Sequence, residues 1–270
     1  MKNLANEIVA WLKDYTLTAK RKALVVGVSG GVDSALVSTL CAMTGMPTHC
    51  VVMPTHCVVM PCQTKVDQTD RGHKHIEWLK EKFGDSSVNG VKSHCVDLTD
   101  TFQSFHTITS IFYNNELAYA NTKSRLRMIA LYQVATCVGG LVVGTGNKVE
   151  DYHLFFYTKG GDGMVDIAPI GDLMKSEVRQ MCRDLGVLPE LSEAVPTDGL
   201  WDDSRTDESQ LGGTYEEFEW AIDFKELLKN HACKITECSP RQLEVLAIYD
   251  KWHNAGKHKS LPIPTFRKEK

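Results

Sequence analysis

Ala23-Leu-Val-Val-Gly-Val-Ser-Gly-Gly-Val-Asp-Ser34 is the stretch that sets the fold of this 270-residue chain. Residues 23–28 form an apolar run that predicts a buried parallel strand. Asp33 to Met43 predicts a helix opened by polar residues able to cap it. A strand, a glycine turn and a helix N-terminus together make a phosphate cradle. Glycines let the backbone approach an anion, and the free N–H groups of the helix point at it. The turn lacks the lysine of a Walker A loop and is not G-x-G-x-x-G. It carries two hydroxyls and one carboxylate instead. Ser29 and Ser34 can donate to phosphate oxygens, whereas Asp33 repels a bare phosphate and so points to a bridging cation.

Outward from this stretch, strands and helices alternate. An amphipathic helix over about 3–18 precedes strand 23–28 and helix 34–44. Helix 66–83, strand 91–96, a short helix after Asp97, a long helix over 114–138 and strand 141–144 follow. This order predicts an α/β fold with a doubly wound parallel sheet and helices on both faces, as a single domain over 1–270 with its core at about 20–185. Such sheets bind ligands at the carboxyl ends of their strands, where 29–34 and 145–150 would both lie. Between them sits an exact tandem repeat, Pro47-Thr-His-Cys-Val-Val-Met53 followed by Pro54-Thr-His-Cys-Val-Val-Met60. Only one copy is needed as the second strand, and the second is favoured because Pro61-Cys-Gln-Thr-Lys65 then continues directly as a loop. Beyond 150 come a glycine-rich loop at 157–163, a helix from Lys175 to Leu185 stopped by Gly186, and helices at about 214–230 and 239–254. Residues 196–213 are polar, aperiodic and long enough to predict a mobile functional loop.

A net charge of -4 with 24% charged residues argues against a nucleic-acid surface, and no apolar segment reaches the roughly 20 residues that span a bilayer. Residues 1–10 lack the apolar core of a signal peptide, so a cytoplasmic protein is expected. Nine cysteines, with no C-x-x-C pair and an unsuitable Cys57–Cys62 spacing for zinc, are expected to be buried thiols. His49 and His56 recur at no metal-ligand spacing. The basic tail at 267–270 is expected to be solvated surface.

The loop Ser29-Gly-Gly-Val-Asp-Ser34 resembles the pyrophosphate loop of the ATP pyrophosphatases. With Lys123-Ser-Arg-Leu-Arg-Met-Ile129, Gly144-Thr-Gly-Asn-Lys-Val-Glu150, Thr158-Lys-Gly-Gly-Asp-Gly163, Asp166, Lys175, Pro196-Thr197 and His258-Lys259, the chain resembles the ammonia-dependent synthetase family that makes NAD from deamido-NAD. The likeness spans nearly the whole sequence and implies an adenine nucleotide alpha hydrolase-like fold. It implies that ATP is held by Gly27, Val28, Ser29, Gly30, Gly31, Val32, Asp33, Ser34, Thr145, Lys175 and Thr197. Asp33 and Glu150 would hold Mg²⁺, with Asp151 an adjacent alternative to Glu150. Arg125, Lys159, Asp166, His258 and Lys259 match positions that hold deamido-NAD. The helix at 114–138 would build a homodimer interface.

The implied reaction adenylates the nicotinate carboxylate, releases pyrophosphate, and then lets ammonia displace AMP. Neither step needs a protein nucleophile, and no Ser-His-Asp or Cys-His set is legible. Members of the family that use glutamine carry an additional glutaminase domain, for which 270 residues leave no room, so ammonia itself or a separate glutaminase is the expected nitrogen source. Rival enzymes with the same loop are a GMP synthetase-like protein and a tRNA-thiolating enzyme. Thiolation calls for paired reactive cysteines and a basic surface. A non-catalytic adenine nucleotide-binding protein would explain the first loop, but not Glu150, Lys159 and Asp166 together.

Overall fold

The computed structural model describes residues 1–54, 64–85, 89–112, 114–194, 196–197, 200–201 and 205–268. In chain order the elements are α1 (Lys2–Thr18), β1 (Ala23–Gly27), α2 (Val32–Met43), β2 (Thr48–Val52), α3 (Thr64–Phe83), β3 (Val91–Cys95), α4 (Thr99–Ser110), α5 (Glu116–Val138) and β4 (Gly140–Val143). A π-helical segment, Lys148–Leu154, follows, and then α6 (Lys175–Leu185), α7 (Pro189–Ser192), α8 (Asp207–Leu211), α9 (Tyr215–Lys229) and α10 (Pro240–Gly256).

The four strands form a parallel sheet in the order β3-β2-β1-β4. Alternation along β1 explains its two faces. Leu24 and Val26 join Leu141 and Val143 under α1, α2 and α6, while Val25 meets Val51, Val142 and the α5 residues Met128 and Leu131 on the other side. Both faces are apolar, so the strand reads as a continuous hydrophobic run, as in a covered parallel sheet. The C-terminal helices α9 and α10 build a separate cluster with the π-helical segment, centred on Leu154, Phe218, Tyr215 and Tyr249.

After β1 the chain steps outward to β2 and β3, then returns to place β4 on the opposite side of β1. That reversal opens a crevice at the carboxyl ends of β1 and β4. Residues 28–34 leave β1 there, and residues 144–150 leave β4.

The repeat is resolved against the sequence expectation. The first copy supplies β2, with Leu24 opposite Thr48 and Gly27 opposite Val51, whereas residues 55–60 of the second copy lie outside the described residues. The physical reason is the short connection: α2 ends at Met43 and β2 begins at Thr48, the length usual for an αβ loop. Starting the strand in the second copy would add a whole repeat to that link. Two other expectations shift. The helix after Asp97 runs the full length of α4, and the 196–213 segment contains α8, capped by Thr206. The cysteines also divide: among those described, Cys41, Cys50 and Cys182 are buried, but Cys95 and Cys137 are exposed. Cys95 ends the edge strand β3 and Cys137 lies near the end of α5. Cys57 and Cys62, like His56, lie outside the described residues.

Candidate active site

The cradle is shaped by its own hydroxyls. Ser34 Oγ accepts the Ser29 N–H at 3.1 Å and donates to the Gly31 carbonyl at 3.0 Å, while Ser29 Oγ accepts the Gly31 N–H at 3.3 Å. Ser34 is therefore committed to holding the turn, and Ser29 is the more open of the two. Gly30 has φ +81°, and a Cβ there would lie 2.3 Å from the Gln68 carbonyl of α3. Arg71 Nε also donates to the Gly30 carbonyl at 3.3 Å. Helix α3 thus presses on the turn from outside and leaves space for glycine alone. Helix geometry leaves the first N–H groups of α2 without intrahelical partners, at the rim of the crevice.

Behind the turn lies a buried charge cluster. Lys175 Nζ, with its side chain 3% exposed, donates to Asp33 Oδ2 at 2.6 Å and to Glu150 Oε1 at 2.9 Å. Asn147 Nδ2 donates to Asp33 Oδ1 at 3.1 Å, and its carbonyl oxygen caps the Glu150 N–H at 3.1 Å. The Tyr215 hydroxyl donates to Glu150 Oε1 at 2.5 Å. Burial pushes the Asp33 carboxyl up, and the Lys175 charge only partly offsets this. Burial also acts on Glu150, but Lys175 and the bonds from Tyr215 and Asn147 outweigh it and hold that carboxyl below its usual range. Lys175 loses solvation too, yet its two carboxylates raise its affinity for the proton. It is an ammonium at neutral pH.

Lys175, Asp33 and Glu150 line a cavity of about 270 Å³ together with Ser29, Thr145, Asp151 and Thr197. Its far wall is apolar, with Val52, Met128, Leu131 and Val143. Thr197 and Leu200 are tied down at its edge. Gln68 Nε2 donates to Thr197 Oγ1 at 2.6 Å, and the buried Lys123 ammonium donates to the Leu200 carbonyl at 2.9 Å. Asp151 is pushed well up by burial and by Asp162, Glu150 and Asp33 nearby. It faces Gly146, where a Cβ would meet its carboxylate at 1.8 Å, and so it does not share Lys175 as Glu150 does.

The Mg²⁺ implied by the resemblance fits this donor set. Asp33 and Glu150 converge on a single point, now taken by the Lys175 ammonium. Among the described residues, no group of three or more His, Cys, Asp or Glu side chains could hold a metal by itself. Two carboxylates with no third protein ligand suit a cation that takes its other oxygens from phosphates and water.

The second predicted set stands apart. Arg125, Lys159, Asp166, His258 and Lys259 do not line the cavity, and the first four are exposed. Three of the five meet around the 155–160 segment: Arg125 Nε donates to the Lys159 carbonyl at 3.3 Å, and Lys259 Nζ donates to the carbonyls of Phe155 and Tyr157 at 2.8 and 2.7 Å. His258 makes a local contact with the Ala255 carbonyl, at 3.0 Å. Asp166 is held by the Val142 N–H at 2.8 Å and the Tyr132 hydroxyl at 3.2 Å. Sequence reasoning passed over Asn147, Tyr215, Gln68 and Lys123. Asn147 lies inside the quoted Gly144–Glu150 motif, and Lys123 opens another, so those two had a signal. Tyr215 and Gln68 had none beyond their helices.

The NAD synthase family model matches residues 4–260. A curated relative, the NH(3)-dependent NAD(+) synthetase of Mesoplasma florum, is 37% identical over 221 residues, which cover 81% of this chain and 83% of the relative. Among solved structures, an NMN synthetase from Francisella tularensis superposes with a TM-score of 0.82 at 28% identity, covering 99% of this chain and 98% of the other. An NH3-dependent NAD synthetase from Campylobacter jejuni gives 0.73 at 19% identity, with the same coverages, and supports the fold alone. With the model match spanning nearly every residue from the first helix to Ser260, the chain belongs to the NAD synthase family.

Proposed function

We propose that the chain is a ligase that uses ATP to amidate deamido-NAD with ammonia, giving NAD, AMP and pyrophosphate. The observation that carries this is the Lys175 ammonium shared by Asp33 and Glu150 directly behind the glycine turn. A site of that charge is built for polyphosphate and cation together. The N–H groups of the α2 first turn and Ser29 bind the phosphates, and the apolar wall around Met128 and Leu131 takes the adenine. Thr145 and Thr197 bound the cavity as further nucleotide contacts. Asp33 and Glu150 would hold Mg²⁺, which, when bound, supplies Lewis-acid compensation of phosphate charge.

The nicotinate carboxylate attacks the α-phosphorus, and the bond to the pyrophosphate oxygen breaks. Ammonia then adds to the carbonyl of the mixed anhydride, a proton leaves the nitrogen, and the bond to AMP breaks. The protein's work is orientation and charge compensation, with Lys175 a buried cation beside the phosphates. Thr197 and Leu200, held by Gln68 and Lys123, help keep water from the mixed anhydride. Arg125, Lys159, Asp166, His258 and Lys259 surround the dinucleotide outside the cavity. A homodimer fits the surface of α4, α5 and the chain between them, which exposes Ile108, Ile111, Phe112, Leu117 and Ile129, each at 59% or more. No helix among the described residues is long and apolar enough to cross a membrane, which accords with a cytoplasmic enzyme.

A second acceptor is favoured by one observation. The Francisella structure that superposes over nearly the whole chain is an NMN synthetase. The acid form of NMN, with a single phosphate, is therefore a rival to deamido-NAD. The test is pyrophosphate release from ATP with ammonium and either acid, or neither. Release that depends on deamido-NAD is expected. Release only with the mononucleotide reassigns the acceptor, and release with neither removes the proposal.

A further inference from the structure

Tyr215 opens α9 immediately after its Thr214 cap. It is 2% exposed and does not line the cavity. Even so, its phenol reaches three charged groups that do. The hydroxyl lies 2.5 Å from Glu150 Oε1 and 3.2 Å from Asp207 Oδ2, and the ring carries the Lys175 ammonium 4.7 Å from its centroid. A phenol has one proton to give, and the shorter contact assigns it to Glu150. The ring face, negative in its quadrupole, attracts the ammonium. Tyr215 also belongs to the C-terminal apolar cluster with Phe218 and Leu154. One side chain thus ties α9 to two elements of the site: the π-helical segment that carries Glu150, and α6, which carries Lys175.

We infer that Tyr215 is a positioning residue for the cation and the ATP phosphates, fixing Glu150 through its hydroxyl and Lys175 through its ring without touching substrate. This rests on the ATP and Mg²⁺ assignment proposed above. Without the hydroxyl, Glu150 keeps Lys175 as a partner but loses the second bond that fixes its Oε1. Cation binding should suffer more than nucleotide binding.

The test is calorimetric binding of a non-hydrolysable ATP analogue across a Mg²⁺ series, with thermal melting alongside. For Tyr215→Phe the half-saturating Mg²⁺ is expected to rise about tenfold. At saturating Mg²⁺ the analogue should bind within about twofold of wild type. Tyr215→Leu, which also removes the ring, is expected to weaken the analogue about tenfold even at saturating Mg²⁺. In a Glu150→Gln background the Tyr215→Phe shift is expected to vanish, because it acts through that carboxylate. An unchanged Mg²⁺ dependence overturns the inference, as does a shift that persists in the Glu150→Gln background or a Tyr215→Phe chain that no longer melts cooperatively. Failure of the proposed reaction shows separately, as wild-type protein that releases no pyrophosphate while these binding comparisons still read out.

Discussion

Around Asp33, charged side chains are buried and bond to one another; around Lys159, they are exposed or half-buried and bond to backbone carbonyls. The first set shares Lys175, Asn147 and Tyr215 in a closed network with side-chain exposures of 3–17% for Lys175, Glu150 and Asp33. In the second, Arg125 and Lys259 reach the backbone of 155–159, and Lys159 itself projects outward. Buried ion networks are rigid, and removing one member strands the others. Exposed cations cost little and adapt to what binds. The cradle is thus formed before any ligand arrives, whereas the outer set is held mainly by backbone carbonyls at the surface.

The comparison breaks most sharply at Lys175. Lys175→Met leaves Asp33 and Glu150 facing each other, and a stability loss of about 3 kcal/mol is expected, with kcat lower by about a hundredfold or more. Added Mg²⁺ should restore part of the melting temperature. Calorimetry with and without Mg²⁺ checks this, and an unaltered melting curve would mean that the network is not the rigid half. Gly30→Ala comes next. Its positive φ and the Gln68 carbonyl in the way predict a loss of about 1–3 kcal/mol and a higher KM for ATP. Denaturant melts and steady-state kinetics would read both, and a neutral outcome would show that α3 gives way. Arg125→Ala is the mildest. Stability should change by less than about 0.5 kcal/mol, while the KM for the acid acceptor rises about tenfold and that for ATP stays put. An equal rise in both KM values would erase the distinction between the two regions.

Much of the first region was legible in the sequence. A strand of small apolar residues, a glycine pair and an acidic helix start are local features, and β1, the turn and α2 fall where 23–44 predicted them. Lys175 and Glu150 could be named only by likeness to a family, since nothing local brings positions 25 residues apart to one ammonium. The role of Tyr215 was invisible, because Thr214 and Glu217 announce a helix cap and nothing more. The repeat misled for a similar reason: two identical strands have identical propensities, and only the length of the link from α2 chooses between them.

By itself, then, the sequence determined the alternating strands and helices, the glycine turn that admits a phosphate, and the family. These depend on short-range sterics and on the apolar period. The tertiary structure decided which repeat enters the sheet, that one buried lysine balances Asp33 and Glu150, and that a tyrosine from α9 braces both. Each of those choices depends on distances between segments far apart in the chain, which are fixed only when the sheet reverses between β1 and β4 and the helices close around it.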